Sequence, residues 1–349
     1  MLVVIVAGYH GGHRNNLFET AMLSAELPIL TLNCHEAWVH QLAALGGRLE
    51  IIDGLPGRYT PAWDVRIRPL PAHARLLSLA EALEQRRAYR CIIAHSMTDL
   101  LDIKSLAAPR LLVLHNTLAG RMQGSSTLSP QQVRTVLRHY LQQTGGHAVA
   151  VSAMKGRSWG LAGDIVPCGV DPEAYPPWSG EVASGIRVAN QIRQKEQILD
   201  WKLHLAAFQQ RPVRIVGHNP EMPGVSPSES WEHLKSLLQS HRFFIHTAAP
   251  QLEDGYNMAM LEAMAAGLPV LGNRHPSSPI VSGVNGFLSD DPVELGQWAD
   301  TLLQDRELAR KWGESARQTV KEKFSLQLFA TRLQKSIRTA QRLYLGKRK

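Results

Sequence analysis

The sequence predicts an α/β protein built as two doubly wound, parallel-sheet domains facing across a cleft. Three observations carry this. Short runs rich in Val, Ile and Leu recur along the chain, each followed by polar or helix-forming sequence, which is the alternation of parallel strands with helical crossovers. That texture breaks at "DIVPCGVDPEAYPPWSGE", where Pro167, Pro172, Pro176 and Pro177 with Gly169 and Gly180 suit a linker better than a helix or strand. The length of 349 residues is too great for one small core and suits two domains.

In chain order, "LVVIVAG", "LPILTLN", "LEIID", "CIIAHS", "RLLVLHNT" and "HAVAVS" read as the strands of the first domain. The opening "MLVVIVAGYHGG" is apolar over only a few residues and has no basic leader, so it reads as a strand rather than a signal peptide. Beyond the linker, "PVRIVGHN", "HRFFIHTA", "GLPVLGN" and "NGFLSD" read as strands, with "SWEHLKSLLQ" and "DPVELGQWADTLLQD" as helices between them. The closing "SLQLFATRLQKSIRTAQRLYL" is a helix long enough to leave the second domain. The expected divisions are 1–172, 173–325 and a last helix over 326–349.

Apolar residues make up 44% and charged residues 19%, an ordinary soluble composition. No run approaches the roughly 18–20 apolar residues of a spanning helix. Cys34, Cys91 and Cys168 are odd in number and scattered. They give neither a disulfide framework nor a zinc pattern, and they fit a reducing compartment, so a cytoplasmic protein is expected. The net charge of +8 suits phosphorylated ligands, an anionic membrane surface or nucleic acid. Part of it lies in "TRLQKSIRTAQRLYLGKRK", which reads equally as a solvated helix face.

In such sheets ligands sit beyond the carboxyl ends of the strands, and the chemistry concentrates in "EDGYNMAMLEAMAAGLPV". A helix is expected from Tyr256 to Ala266, stopped by Gly267. Asp254 then stands at its N-terminus. It reads either as an N-cap worth about 1 kcal/mol or as an acceptor of sugar hydroxyls where the helix amides bind phosphate. Glu262 lies on an apolar stripe with Met258 and Ala265, where an unpaired acid is costly. It needs a partner: a ribose diol, or a basic or backbone group from elsewhere in the chain.

"DGYNMAMLEAMAAGLPVLGN" followed by "SPIVSGVNGFLSDDP" resembles the signature segment of the retaining GT-B glycosyltransferases of family 4, in which an acid, with seven residues between, precedes the glutamate that opens "EAMA.G.PV", and "G.NG.L" follows. "IVPCGVDPEAY" is similar to the end of that family's first domain. The resemblance implies two Rossmann-like domains. The first would bind the acceptor and the second a nucleotide-diphosphate sugar, with no cofactor, no essential metal, and a last helix returning to the first domain. Glu262 matches the glutamate that holds the nucleotide ribose. Asp254 matches an acid, usually glutamate, that contacts the transferred sugar, and the amides of Tyr256, Asn257 and Met258 would face sugar and diphosphate. The family's diphosphate-binding arginine and lysine fall on Asn190 and Lys195, with Arg193 a substitute for the missing charge. Gly11 and Gly12 match the glycine loop under donor and acceptor. His115 in "LLVLHNT" matches a histidine near the donor sugar, whereas His95 in "CIIAHS" sits likewise on a neighbouring strand. The "GGIPE" loop is replaced by "HPSSPI", whose Ser277 and Ser278 could donate hydroxyls to the donor. No metal motif and no Cys/His cluster is visible, in keeping with a metal-free mechanism.

The resemblance implies a retaining hexosyltransferase acting on a glycan or a lipid-linked saccharide, peripheral at an anionic membrane in the latter case. The basic charge equally permits an acceptor base in duplex DNA, hydroxymethylated to supply the hydroxyl. Asn190 in place of an arginine raises a third reading, a non-catalytic nucleotide-sugar-binding subunit.

Overall fold

The protein is described from a computed structural model over residues 26–58, 60, 62–85, 87–122, 127–161 and 163–348. The expected opening strand, and Gly11 and Gly12 with it, lie outside these residues.

The first domain carries strands β1 (Ile29–Leu32), β2 (Leu49–Ile52), β3 (Ala74–Leu77), β4 (Cys91–Ala94), β5 (Arg110–Leu114) and β6 (His147–Ala150). Its helices are α1 (Glu36–His40), α2 (Leu79–Glu84), α3 (Met97–Asp102), α4 (Leu118–Met122), α5 (Pro130–Thr144) and α6 (Ala153–Ser158). The strands form one sheet in the order β3-β2-β1-β4-β5-β6, and every pairing is parallel. The second domain carries β7 (Val182–Val188), β8 (Val213–Val216), β9 (His241–His246), β10 (Val270–Gly272) and β11 (Gly286–Leu288). They are parallel in the order β11-β10-β9-β7-β8. Its helices are α7 (Trp201–Phe208), α8 (Trp231–Ser240), α9 (Met258–Ala265), α10 (Pro292–Gln304) and α11 (Arg306–Lys323), and α12 (Leu326–Gly346) closes the described chain.

Two strands do not read as apolar runs. β3 lies at a sheet edge with Arg75 and Leu76 exposed, so burial does not mark it. β7 is interrupted by Gly185, where a Cβ would come within 2.4 Å of the Phe243 ring. There the packing of β9 demands a glycine that propensity disfavours.

The last helix leaves the second sheet. Its Phe329, Leu333, Ile337 and Ala340 join Ile51, Ile93, Val113 and Val149 in one core over the first sheet. The chain therefore crosses between domains twice, and the crossings touch. Val170 donates its amide to the Phe324 carbonyl at 2.8 Å, and Val170 bridges Ser325. A Cβ on Gly169 would meet the Phe329 Cβ at 2.6 Å, so only glycine lets the crossing lie this close to α12.

Candidate active site

Strands β1, β4, β5 and β6 of the first sheet, and β9 of the second, deliver most of the candidate groups from their carboxyl ends. His115 follows β5 and stands half-buried. Its Nε2 lies 2.9 Å from Nδ1 of His95, and Nε2 of His95 lies 2.9 Å from Oγ1 of Thr31. The Thr31 hydroxyl donates to the Ile93 carbonyl at 3.1 Å, so it accepts from His95. This assigns the His95 proton to Nε2 and leaves its Nδ1 to accept from His115 Nε2–H. Burial holds His95 down at about 4 and His115 well below its ordinary value, so both rings are neutral. Cys34, beyond β1, completes the group: one ligand atom from each of Cys34, His95 and His115 lies within 4.8 Å of the others. The expectation of no Cys/His cluster is thereby corrected. The three residues are far apart in sequence, and adjacent parallel strands bring them to one sheet edge.

Asp254 does not cap a helix. α9 begins at Met258, two residues later than expected, and its cap is Asn257, whose side chain accepts from the Met260 amide at 2.9 Å. Asp254 is instead 1% exposed and held from the other domain. Lys155 of α6 places Nζ 3.1 Å from its Oδ2 and 2.7 Å from Oε1 of Glu253. Ser152, which caps α6, donates to Asp254 Oδ1 at 2.8 Å. Burial pulls the Lys155 ammonium down, but Glu253 and Asp254 together outweigh it and the net shift is upward. Ser277 donates to Asp254 Oδ1 at 3.4 Å and accepts from the Gly255 amide at 2.9 Å. Ser278 instead accepts from the Ile280 amide at 3.3 Å.

Glu262 has its partner within the chain. It lies 6% exposed on α9, ion-paired with Arg68 from the loop between β2 and β3 of the first domain. The Arg68 guanidinium also lies over the Trp231 ring, 4.5 Å from its centroid. Of the two partners open at the sequence level, the structure shows the basic one.

The expected diphosphate groups lie on the turns after β7. Asn190 accepts the His218 amide at 2.8 Å, which makes it a brace between two loops. Arg193 is exposed and pairs with Glu196 at 2.8 Å. Lys195 is half-buried and faces the first domain: burial, then Arg68 and Lys195, hold His35 down at about 4. Tyr256 donates its hydroxyl to the Val151 carbonyl at 3.3 Å across the cleft, and Met258 opens α9. By helix geometry the first-turn amides of Met258 and Ala259 have no partner within α9.

Lys155, Ser152 and Arg68 are absent from the sequence reading. Lys155 and Ser152 had a signal, since "VSAMKGRS" follows an expected strand as His115 does. Arg68 had none, sitting in "DVRIRPL" with no strand end beside it.

Residues 181–305 match the family described as Glycosyl transferases group 1. Among curated proteins, a sucrose synthase of Melioribacter roseus is 31% identical over 153 residues, 41% of this chain and 17% of its own length. An N-acetyl-alpha-D-glucosaminyl L-malate synthase of Bacillus anthracis is 38% identical over 76 residues, 21% of this chain and 20% of its own. The chain thus spans a fifth or less of these relatives. Anabaena HepE, solved with UDP and glucose, superposes with a TM-score of 0.65 at 14% identity, covering 89% of this chain and 99% of that one. Sucrose-phosphate synthase from Thermosynechococcus elongatus superposes with a TM-score of 0.61 at 14% identity, covering 89% and 98%. The architecture is GT-B. No helix among the described residues is long and apolar enough to cross a membrane.

Proposed function

We propose that this chain, which carries the glycosyl transferases group 1 match on a GT-B frame, is a retaining hexosyltransferase. It moves a sugar from a nucleotide-diphosphate sugar to a hydroxyl of a glycan or lipid-linked saccharide. The observation that carries the reading is the pair of acids Asp254 and Glu262, both buried and each held by a cation of the opposite domain. Two buried carboxylates at that spacing, each facing a cation of the other domain, suit a ligand that spans the cleft.

On this reading the ribose diol takes the place of Arg68 on Glu262, offering two hydroxyls to one carboxylate. Asp254 accepts hydroxyls of the transferred sugar, and His115 stands beside that sugar with Nδ1 as an acceptor. The diphosphate lies at the first-turn amides of α9. Tyr256, Asn257 and Met258 line it, and Lys195 and Arg193 approach from the turns after β7. Lys155 adds a cation already fixed in position. The acceptor oxygen attacks the anomeric carbon on the face from which the diphosphate departs. The bond from that carbon to the phosphate oxygen breaks, its electron pair goes to the oxygen, and that oxygen takes the acceptor's proton. Preorganised cations and amides stabilise the charge that develops there by a few kcal/mol. The mechanism invokes neither a cofactor nor a metal, and the pairing of the transferred sugar with its nucleotide is what the experiment below reads.

The test is incubation with a panel of nucleotide sugars, with and without saccharide acceptors, read by mass spectrometry and by NMR of the product anomer. One donor should be consumed with its anomeric configuration kept, and EDTA should not lower the rate. Saturable binding with no consumption of any donor would make the protein a nucleotide-sugar-binding subunit. An inverted product would sink retention. Loss on chelation, restored by manganese or magnesium, would sink the metal-free mechanism.

A further inference from the structure

We propose that Cys34, His95 and His115 form a binding site for a soft divalent cation of the zinc class. The three stand at the carboxyl edge of neighbouring strands β1, β4 and β5, with one ligand atom of each inside a 4.8 Å group. Sulfur and imidazole nitrogen are the donor set zinc prefers.

Second groups already orient the donors. Thr31 Oγ1 accepts from His95 Nε2–H, so the lone pair of Nδ1 points at the group. A partner on the far nitrogen is what fixes a metal-binding histidine. The Trp38 ring stands edge-on to both imidazoles, with centroids at 4.8 and 4.9 Å, and holds their planes. Tetrahedral bonds of about 2.05 Å to nitrogen and about 2.3 Å to sulfur put ligand atoms roughly 3.3–3.7 Å apart. The histidine nitrogens, now 2.9 Å apart, part slightly, and Cys34 closes in. The nearby carboxylates of Asp99 and Glu36 favour a cation, although Asp99 also meets Arg58 at 3.1 Å. On binding, the thiol loses its proton to the buffer, the His115 proton moves from Nε2 to Nδ1, and three metal–ligand bonds form. Cys34 and His115 are half-buried, so solvent can supply a fourth ligand.

A consequence rests on the proposed function. If His115 serves the donor sugar, the metal removes its acceptor nitrogen, so zinc inhibits and chelation restores.

The experiment titrates the EDTA-dialysed full chain with cobalt(II), then displaces cobalt with zinc(II), and separately follows turnover at increasing zinc. One equivalent of cobalt should bind with tetrahedral visible bands and a near-ultraviolet thiolate charge-transfer band. Cys34→Ser should lose the charge-transfer band and bind at least tenfold more weakly, with its thermal midpoint unchanged. Thr31→Val should weaken binding roughly 10–100-fold while keeping that band. Binding without the band, or equal affinity in Cys34→Ser, overturns the site. Inhibition by zinc in the parent but not in Cys34→Ser supports it further. Tight binding that leaves turnover untouched supports the metal site and overturns the placement of His115 at the sugar.

Discussion

The Asp254 carboxylate is held by Lys155 and Ser152 of the other domain and by Ser277 of its own, so its charge answers to these groups rather than to a helix end. Removing that charge separates its two duties. In Asp254→Asn, Lys155 keeps Glu253, so the fold should lose only about 1–2 kcal/mol, less than for a fully orphaned buried ion. Turnover should fall at least tenfold, because charge-assisted bonds to sugar hydroxyls are about twice as strong as neutral ones. Binding of a free nucleotide diphosphate should stay within a few fold. Saturated turnover, calorimetry and a denaturant melt read the three, and parental turnover would leave Asp254 as an interdomain brace. The residues of the motif were legible because their spacing is local. Their partners were not. Ser152 stands 102 positions from Asp254, and Arg68 stands 194 from Glu262, so nothing in the local pattern couples them.

Helix α9 presents buried residues on almost every side, so apolar periodicity does not mark where it starts, and its expected start fell two residues early. Asn257 won the cap over Asp254, and the intervening "GY" turns the chain beside His275, against which a Cβ on Gly255 would come within 2.7 Å. The end of α9 is set by close packing. Gly267 takes a left-handed φ of 89°, and a Cβ on Gly313 of α11 would lie 1.9 Å from the Gly267 carbonyl oxygen. Glycine to alanine in an exposed helix gains about 1 kcal/mol. Here overpacking of about 1–3 kcal/mol or more opposes that gain, so Gly313→Ala should destabilise. An increase in denaturant midpoint would show that α11 slides freely over α9. Central strands such as β1, β4 and β5 were legible from continuous apolar runs. β3 and β7 were not, because edge exposure and a packing glycine erase that mark.

Across the whole molecule, the two sheets are joined by crossings bonded to each other at Val170 and Phe324, and the domains also meet through the ion pairs Arg68–Glu262 and Lys155–Asp254. Separating the domains at the cleft would have to part those ion pairs. On the proposed reading Arg68 has a meaning beyond packing: paired with Glu262 and 4.5 Å from the Trp231 centroid, it would be an internal competitor for the ribose. An incoming nucleotide meets only the fraction of molecules in which Arg68 has let go, and its apparent affinity is reduced by that fraction. Arg68→Met keeps an apolar stem against Trp231 and removes the competitor. The dissociation constant for a free nucleotide diphosphate should fall by roughly 5–10-fold. Weaker binding in this variant would mean that Arg68 grips the nucleotide itself. In the expected case the protein carries a built-in threshold: donor concentration must exceed what Arg68 sets before the site fills.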